Sequence, residues 1–268
     1  YVPIAHWVWG GGFLTAAADR PGVLDFAGGT VVHLNAGVAG LVGAYVIGSR
    51  RGYGTENFAP YDLSLAVIGT GLLWVGWFGF NGGSALAANS RAVFAIVATH
   101  LAASAGALTW MALEWMTRGK PSVLGMISGA VAGLGTITPA SGFVLPWQGA
   151  LIGLIAGLVC FYACTSLKQR LGYDDSLDVF GVHGIGGLTG TFLAGVFAAA
   201  AIGGTPGLLE GNPGQLRLQL YGIIVTLAWS GSVTFLLLKV ISFLVPLRVS
   251  EQNEVEGLDL TQHGEALK

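Results

Sequence analysis

Apolar residues run through this chain in long stretches, interrupted by short clusters of glycine, proline and charge. A helix that crosses a bilayer needs about 20 predominantly apolar residues. Eight stretches meet or approach that length: 1–17, 26–48, 63–81, 92–116, 123–138, 149–167, 179–203 and 216–247. The first is cut short at its start, and the last is long enough to tilt or to project beyond the membrane. The pattern predicts an all-α, polytopic membrane helix bundle of about eight transmembrane helices. It divides the chain into a transmembrane domain, 1–247, and a solvated tail, 248–268, rich in acid and amide groups. No cleavable signal peptide is evident, and the sequence opens with Tyr1 directly in an apolar stretch. On that basis it is read as lacking its true beginning.

Composition supports the membrane reading. Only 10% of residues are charged and 53% are hydrophobic, whereas a soluble domain carries about 25% charge. The 44 glycines would weaken soluble helices but let membrane helices approach closely. Gly149, Gly153 and Gly157, and Gly129 and Gly133, have the four-residue spacing of packing seams. Gly184, Gly186 and Gly190 resemble a dinucleotide loop only in spacing, since they lie inside an apolar span. A net charge of −2 with no basic stripe gives no reason to expect nucleic acid. Cys160 and Cys164, one turn apart in an apolar run, are expected to be inert packing groups. With no nucleophile, metal cluster or phosphate loop outside the spans, neither an enzyme nor a cofactor is expected.

Basic residues set the orientation, because Lys and Arg accumulate in cytoplasmic connectors. Arg50, Arg51, Arg118, Lys120, Lys168, Arg170, Arg248 and Lys268 fall in one alternating set of connectors and the tail, against Arg20, Arg91 and Arg217 in the other. The split predicts a cytoplasmic C-terminus.

An internal echo marks the chemistry. Leu24-Asp25-Phe26 leads to Val32-His33, and Leu177-Asp178-Val179 leads to Val182-His183. Each places an aspartate at the mouth of a glycine-rich helix and a histidine deeper in. By the alternating count the two helices enter from opposite sides, as an inverted repeat with a midplane site requires. Ionisable groups in the hydrocarbon region are costly, so His33 and His183 are expected to face a cavity or a partner. Neutral imidazoles there would offer donor and acceptor nitrogens without a fixed charge. Haem ligation is the competing use, but it favours histidines stacked on one helix, and neither has such a neighbour. His6 and His100 are assigned structural roles. Asp25 and Asp178 suit capping of free helix amides. The faces of Trp9, beside Gly10 to Gly12, Trp77 and Phe80 could hold a cation, with Ser84 offering one hydrogen bond, but tryptophans also anchor membrane interfaces, and on the residues alone that plainer reading is preferred. Trp74, Trp110, Trp115, Trp147 and Trp229 are left as such anchors.

Trp9 with its glycines, Asp25-Phe-Ala-Gly-Gly-Thr-Val-Val-His33, Gly76-Trp-Phe-Gly-Phe-Asn-Gly-Gly-Ser84 and Asp178-Val-Phe-Gly-Val-His-Gly184 together resemble the signature segments of the Amt/Rh ammonium transporter family. The tail, with Glu256, Gly257, Leu258 and Asp259, resembles the bacterial and archaeal Amt branch more than the Rh branch. The resemblance implies an eleven-helix inverted-repeat fold of which this chain supplies the later eight helices. It implies a homotrimer in the cell membrane with a pore in each subunit. Trp9, Ser84 and Asp25 would recruit ammonium, Phe80 and Trp77 would gate and line the entrance, and His33 and His183 would be the twin histidines of the lumen. The tail would contact a PII-type regulatory protein. Most of the first half-repeat, with one phenylalanine of a paired gate, falls outside the chain. The alternatives are an Rh-like channel for neutral gases and an ammonium sensor acting through its tail and a partner.

Overall fold

A few capping side chains, glycines and prolines decide where each apolar run becomes helix. The computed structural model describes residues 1–17 and 20–265. Helix α1 (Val2–Trp9) carries Pro3 in its first turn and stops at Gly10. Helix α2 (Gly29–Ile47) opens with a π-helical turn, Gly29–Leu34. Asp62 accepts from the Leu65 amide to start α3 (Leu63–Gly83), and Asn89 accepts from Ala92 to start α4 (Ser90–Arg118). Gly119, at φ 75°, ends α4 in the left-handed conformation that a residue without Cβ adopts freely. Ser122 accepts from Gly125 at the start of α5 (Val123–Ile137). The remaining longer helices are α6 (Pro146–Leu171), α7 (Phe180–Phe197), α8 (Pro213–Ser242) and, in the tail, α9 (Glu251–Glu256), with short helical turns at Ala200–Gly203, Leu208–Glu210 and Asp259–His263.

Six of these helices, α2, α3, α4, α6, α7 and α8, are long and apolar enough to cross a membrane, and α5 is a shorter apolar helix. The structure differs from the expected eight spans at two places. The first stretch is helical only over Val2–Trp9, because three consecutive glycines follow. The fifth stops at Ile137, ahead of Pro139, and runs into a buried turn over residues 138–144. Irregular backbone at this depth is tolerated when protein surrounds it. Among the described residues there is no strand, only an isolated bridge between Ala17 and Arg20.

Helices α4, α5 and α6 pack on one another, and the glycine seams explain the fit. A Cβ added at Gly149, Gly153 or Gly157 of α6 would strike α4 at Ala98, Ala102 and Gly106 or Thr109. Gly129 and Gly133 of α5 meet Gly106 and Ala102 in the same way. Backbone thus packs on backbone, where lipid supplies no hydrophobic force to drive helices together. Trp110 is not an interface anchor: it is buried and meets Phe161 edge-on, 5.6 Å between ring centroids. Cys160 is buried, and both thiols are free. By contrast α3 and α8 turn rows of leucine, isoleucine and valine outward, among them Leu65, Ile68, Leu72, Leu220 and Ile224.

The tail is tied to the α2–α3 connector. Arg248 pairs with Glu254 at 2.7 Å and donates to the Ser49 carbonyl at 2.6 Å, while the Arg51 amide donates to Glu254 at 2.9 Å. Lys268 lies outside the described residues.

Candidate functional site

The start of α2 is built around one carboxylate. Asp25 is 4% exposed. Its Oδ1 accepts from the amides of Gly28 (2.7 Å) and Gly29 (2.6 Å), and its Oδ2 from the amides of Thr30 (2.9 Å) and Val31 (3.2 Å) and from the Thr30 hydroxyl (2.6 Å). These are the amides a helix start leaves without partners, and a charged acceptor suits the positive end of its dipole. The Asp25 carbonyl in turn accepts from Trp9 Nε1 at 2.7 Å, which fixes the half-exposed indole to the same residue.

The start of α7 is capped differently. The carboxylate that accepts from the Phe180 amide, at 2.7 Å, belongs to Asp175. Asp178 instead pairs with Lys168 Nζ at 2.8 Å, so its expected role as a cap passes to Asp175. The reason is local: Asp178 adopts φ 54°, and its main-chain carbonyl, not its side chain, accepts from Val182. Burial pushes the Asp178 carboxyl above its ordinary value, and Lys168 opposes only part of that rise.

His33 and His183 both stand in π-helical turns, Gly29–Leu34 and Phe180–Gly184. Such turns recur at functional sites because the extra residue per turn redirects a side chain. The two helices then meet at their glycines. Four residues beyond His33, Gly37 abuts Gly184; four beyond His183, Gly187 abuts the Leu34 amide and the His33 side chain. The contacts are reciprocal, and they press the two imidazoles together. Their rings stack 5.3 Å apart at 15°, with Nδ1 to Nδ1 at 3.2 Å. Gly135 of α5 lies beside both Nδ1 atoms, and a side chain there would fill the space against them.

Trp77 covers the other face of His33, 5.3 Å away at 12°, with Phe80 tilted against both rings. The Trp77 indole donates to Thr138 Oγ1 at 2.9 Å. A cleft of about 520 Å³ reaches this stack, walled by Val32, Gly69, Leu72, Leu73 and Gly76 with His33, Trp77 and Phe80. A second, of about 170 Å³, reaches His183 among Thr70, Ile127, Ser128, Val131 and Val182. Buried His33 Nε2 has no hydrogen-bond partner among the described residues. The histidine pair therefore joins two clefts. Ser84 donates to the Phe80 carbonyl at 2.8 Å, while Glu256, Leu258 and Asp259 are exposed in the tail with Gly257 at φ 98° between them.

Sequence reasoning missed Asp175, Thr138 and Gly135. The signal for Asp175 was its place five residues before Phe180; the other two are read only from helix packing.

These features define a polytopic membrane protein in which two histidines stack between two clefts. The sequence model of the Ammonium Transporter Family matches residues 1–267, and the chain belongs to that family, whose members are transporters and not enzymes. It is 51% identical to an ammonium transporter of Aquifex aeolicus over 99% of this chain and 61% of that protein. The crystal structure of Saccharomyces cerevisiae Mep2 superposes with a TM-score of 0.85 at 40% identity, covering 93% of this chain and 59% of that one. A structure titled Sensor Amt Protein superposes with a TM-score of 0.85 at 30% identity, covering 97% and 65%. The chain thus spans about three fifths of the curated relative's length.

Proposed function

We propose that this chain forms the conducting core of an ammonium transporter, and that it passes the substrate as ammonia between His33 and His183. The observation that carries the reading is the 3.2 Å approach of the two Nδ1 atoms between two clefts. A hydrogen bond at that distance needs one proton between the two nitrogens. The ring that donates keeps a bare Nε2, which accepts; the ring that accepts keeps an Nε2–H, which donates. A neutral pair therefore offers ammonia both kinds of partner, whereas two imidazolium rings would oppose N–H to N–H.

The walls explain selectivity. Leucine, valine and glycine around the stack make a bare ion costly, so potassium, which cannot shed a proton, is excluded. Ammonium is held first by aromatic faces near Trp9, Phe80 and Ser84, where a cation–π contact is worth about 0.5–2 kcal/mol. It then gives up one proton and continues as the neutral base. Asp25 supports recruitment through its negative charge and by holding Trp9, since both its oxygens are already engaged. Phe80 closes the outer cleft and Trp77 lines it.

The same reading has 1–247 in the cell membrane, 248–268 in the cytoplasm, a homotrimeric assembly and a PII-type protein docking on Glu256 to Asp259. The test is uptake of methylammonium by cells expressing the gene with His33→Ala and His183→Ala together. Uptake should be lost, or potassium should begin to pass. Unchanged uptake with potassium still excluded would overturn the role of the pair. The likeness to the sensor structure supports a second reading, ammonium sensing through the tail; a protein that binds ammonium without measurable flux would favour it.

A further inference from the structure

We infer that Arg91, at the start of α4, is a positioning residue for the outer aromatic site; the inference rests on the recruitment role proposed above. Its guanidinium lies over two rings at once, 4.9 Å from the centroid of Phe26 and 4.8 Å from that of Phe143. Its Nε donates to the Gly142 carbonyl at 2.7 Å. The rings themselves meet edge to face at 5.8 Å. Gly142 packs against the Phe26 ring so closely that a Cβ there would collide with it. Half-buried Arg91 forms no ion pair among the described residues. Its charge is answered by two aromatic faces and a carbonyl.

What this cluster holds is the turn over residues 138–144, on which the groups of the mouth converge. Phe26 follows Asp25 directly, and its amide donates to the Pro139 carbonyl at 3.0 Å. Trp9 is fixed to Asp25, and Trp77 to Thr138 at the beginning of the same turn. One arginine therefore sets Trp9 and Asp25, through Phe26, against Trp77, through Thr138. On the other side of Asp25, Gln219 of α8 grips Leu24 through both its amide and its carbonyl, each at 2.7 Å. Asp25 is held by clamps on both neighbours, and only the one on Phe26 is charged and reaches the turn that carries Trp77.

A group that positions a recruitment site shifts the concentration at which the site fills more than the rate once it is full. The test compares Arg91→Met, Arg91→Lys and Phe143→Leu with the unaltered protein expressed from its gene. It measures methylammonium uptake against concentration and the amount of protein in the membrane. For Arg91→Met, KM should rise about three- to tenfold, the range set by losing a cation–π contact and one hydrogen bond, with the maximal rate per molecule changed less. Arg91→Lys, which keeps the charge over the rings, should recover part of the shift. Phe143→Leu leaves the bond to Gly142 intact and should shift KM in the same direction by less, which keeps the test open if Arg91→Met does not accumulate. An unchanged KM in the variants that accumulate, or a loss of maximal rate with KM unchanged, would overturn the inference. An unaltered protein that carries no methylammonium would instead overturn the transport reading beneath it.

Discussion

The entries to α2 and α7 share a sequence pattern and a π-helical turn, yet they are built to different tolerances. At α2 one buried aspartate takes five donors, and its histidine is enclosed by Trp77 on one face and His183 on the other. At α7 the work is divided: Asp175 caps, Asp178 pairs with Lys168, and His183 is only half buried beside the smaller cleft. The lesson is that a sequence echo fixed the helix geometry and the placement of the imidazoles, while the acids at the two mouths were free to diverge. One end rests on a single carboxylate, the other on two carboxylates and a lysine.

The largest effect should therefore come from Asp25→Ala. It strands a group of buried donors, and such losses cost about 3–5 kcal/mol in related cases. The protein should fail to accumulate or should melt well below the unaltered form. Asp175→Ala should cost about 1 kcal/mol, as for an ordinary cap, and Asp178→Ala less, as for a partly exposed pair. Thermal denaturation in detergent ranks the three, and equal losses at Asp25 and Asp178 would break the comparison. Next come Gly37→Ala and Gly187→Ala. Each inserts a methyl where the helices touch, which widens the histidine pair in either half-repeat. Displacements of this kind reduce turnover roughly tenfold or more, and the two substitutions should be alike in uptake assays because their contacts are reciprocal.

Much of this architecture was legible before the structure. The long apolar runs, the four-residue glycine seams and the twin Asp-to-His segments gave the helices, the glycine faces along which they pack, and the pairing of His33 with His183. What was not legible is the irregular backbone. Hydropathy carried the first stretch past Gly10 to Gly12, because those glycines interrupt a helix without adding polarity. The fifth stretch, 123–138, matches α5 to within one residue, but the buried turn that follows it over residues 138–144 carries no hydropathy signal of its own. Gln215 and Gln219, four apart in an apolar span and almost wholly buried, were a readable signal, since an amide at that depth needs a partner. The residue pattern points to Asp178 as the cap because it stands next to the helix. The choice of Asp175 depends on the positive φ of Asp178, which no residue pattern announces.

The smallest effect separates two acids of that one loop by the sign of their pH dependence. Buried Asp174 accepts from the Arg50 amide (2.7 Å), Nε (2.8 Å) and Nη2 (2.6 Å). Burial pushes its carboxyl up, but the bonds from Arg50 outweigh that and hold it below the ordinary carboxylate range. A depressed acid stabilises the fold above its unfolded pKa, about 3.9, and that contribution is lost as pH falls through the lower folded value. Asp178 is raised, so its ionised form works against folding, and stability declines as pH climbs from the unfolded value through the folded one. At neutral pH, Asp174→Asn should thus cost about 1–2 kcal/mol, since 39% of the Arg50 side chain reaches solvent. Asp178→Asn should be neutral or slightly stabilising. Melting temperatures measured from pH 7 down to pH 3 should bring both variants toward the unaltered protein, from opposite sides. If the two approach from the same side, Asp178 serves as an anchor after all, and the two mouths are more alike than their hydrogen bonds make them.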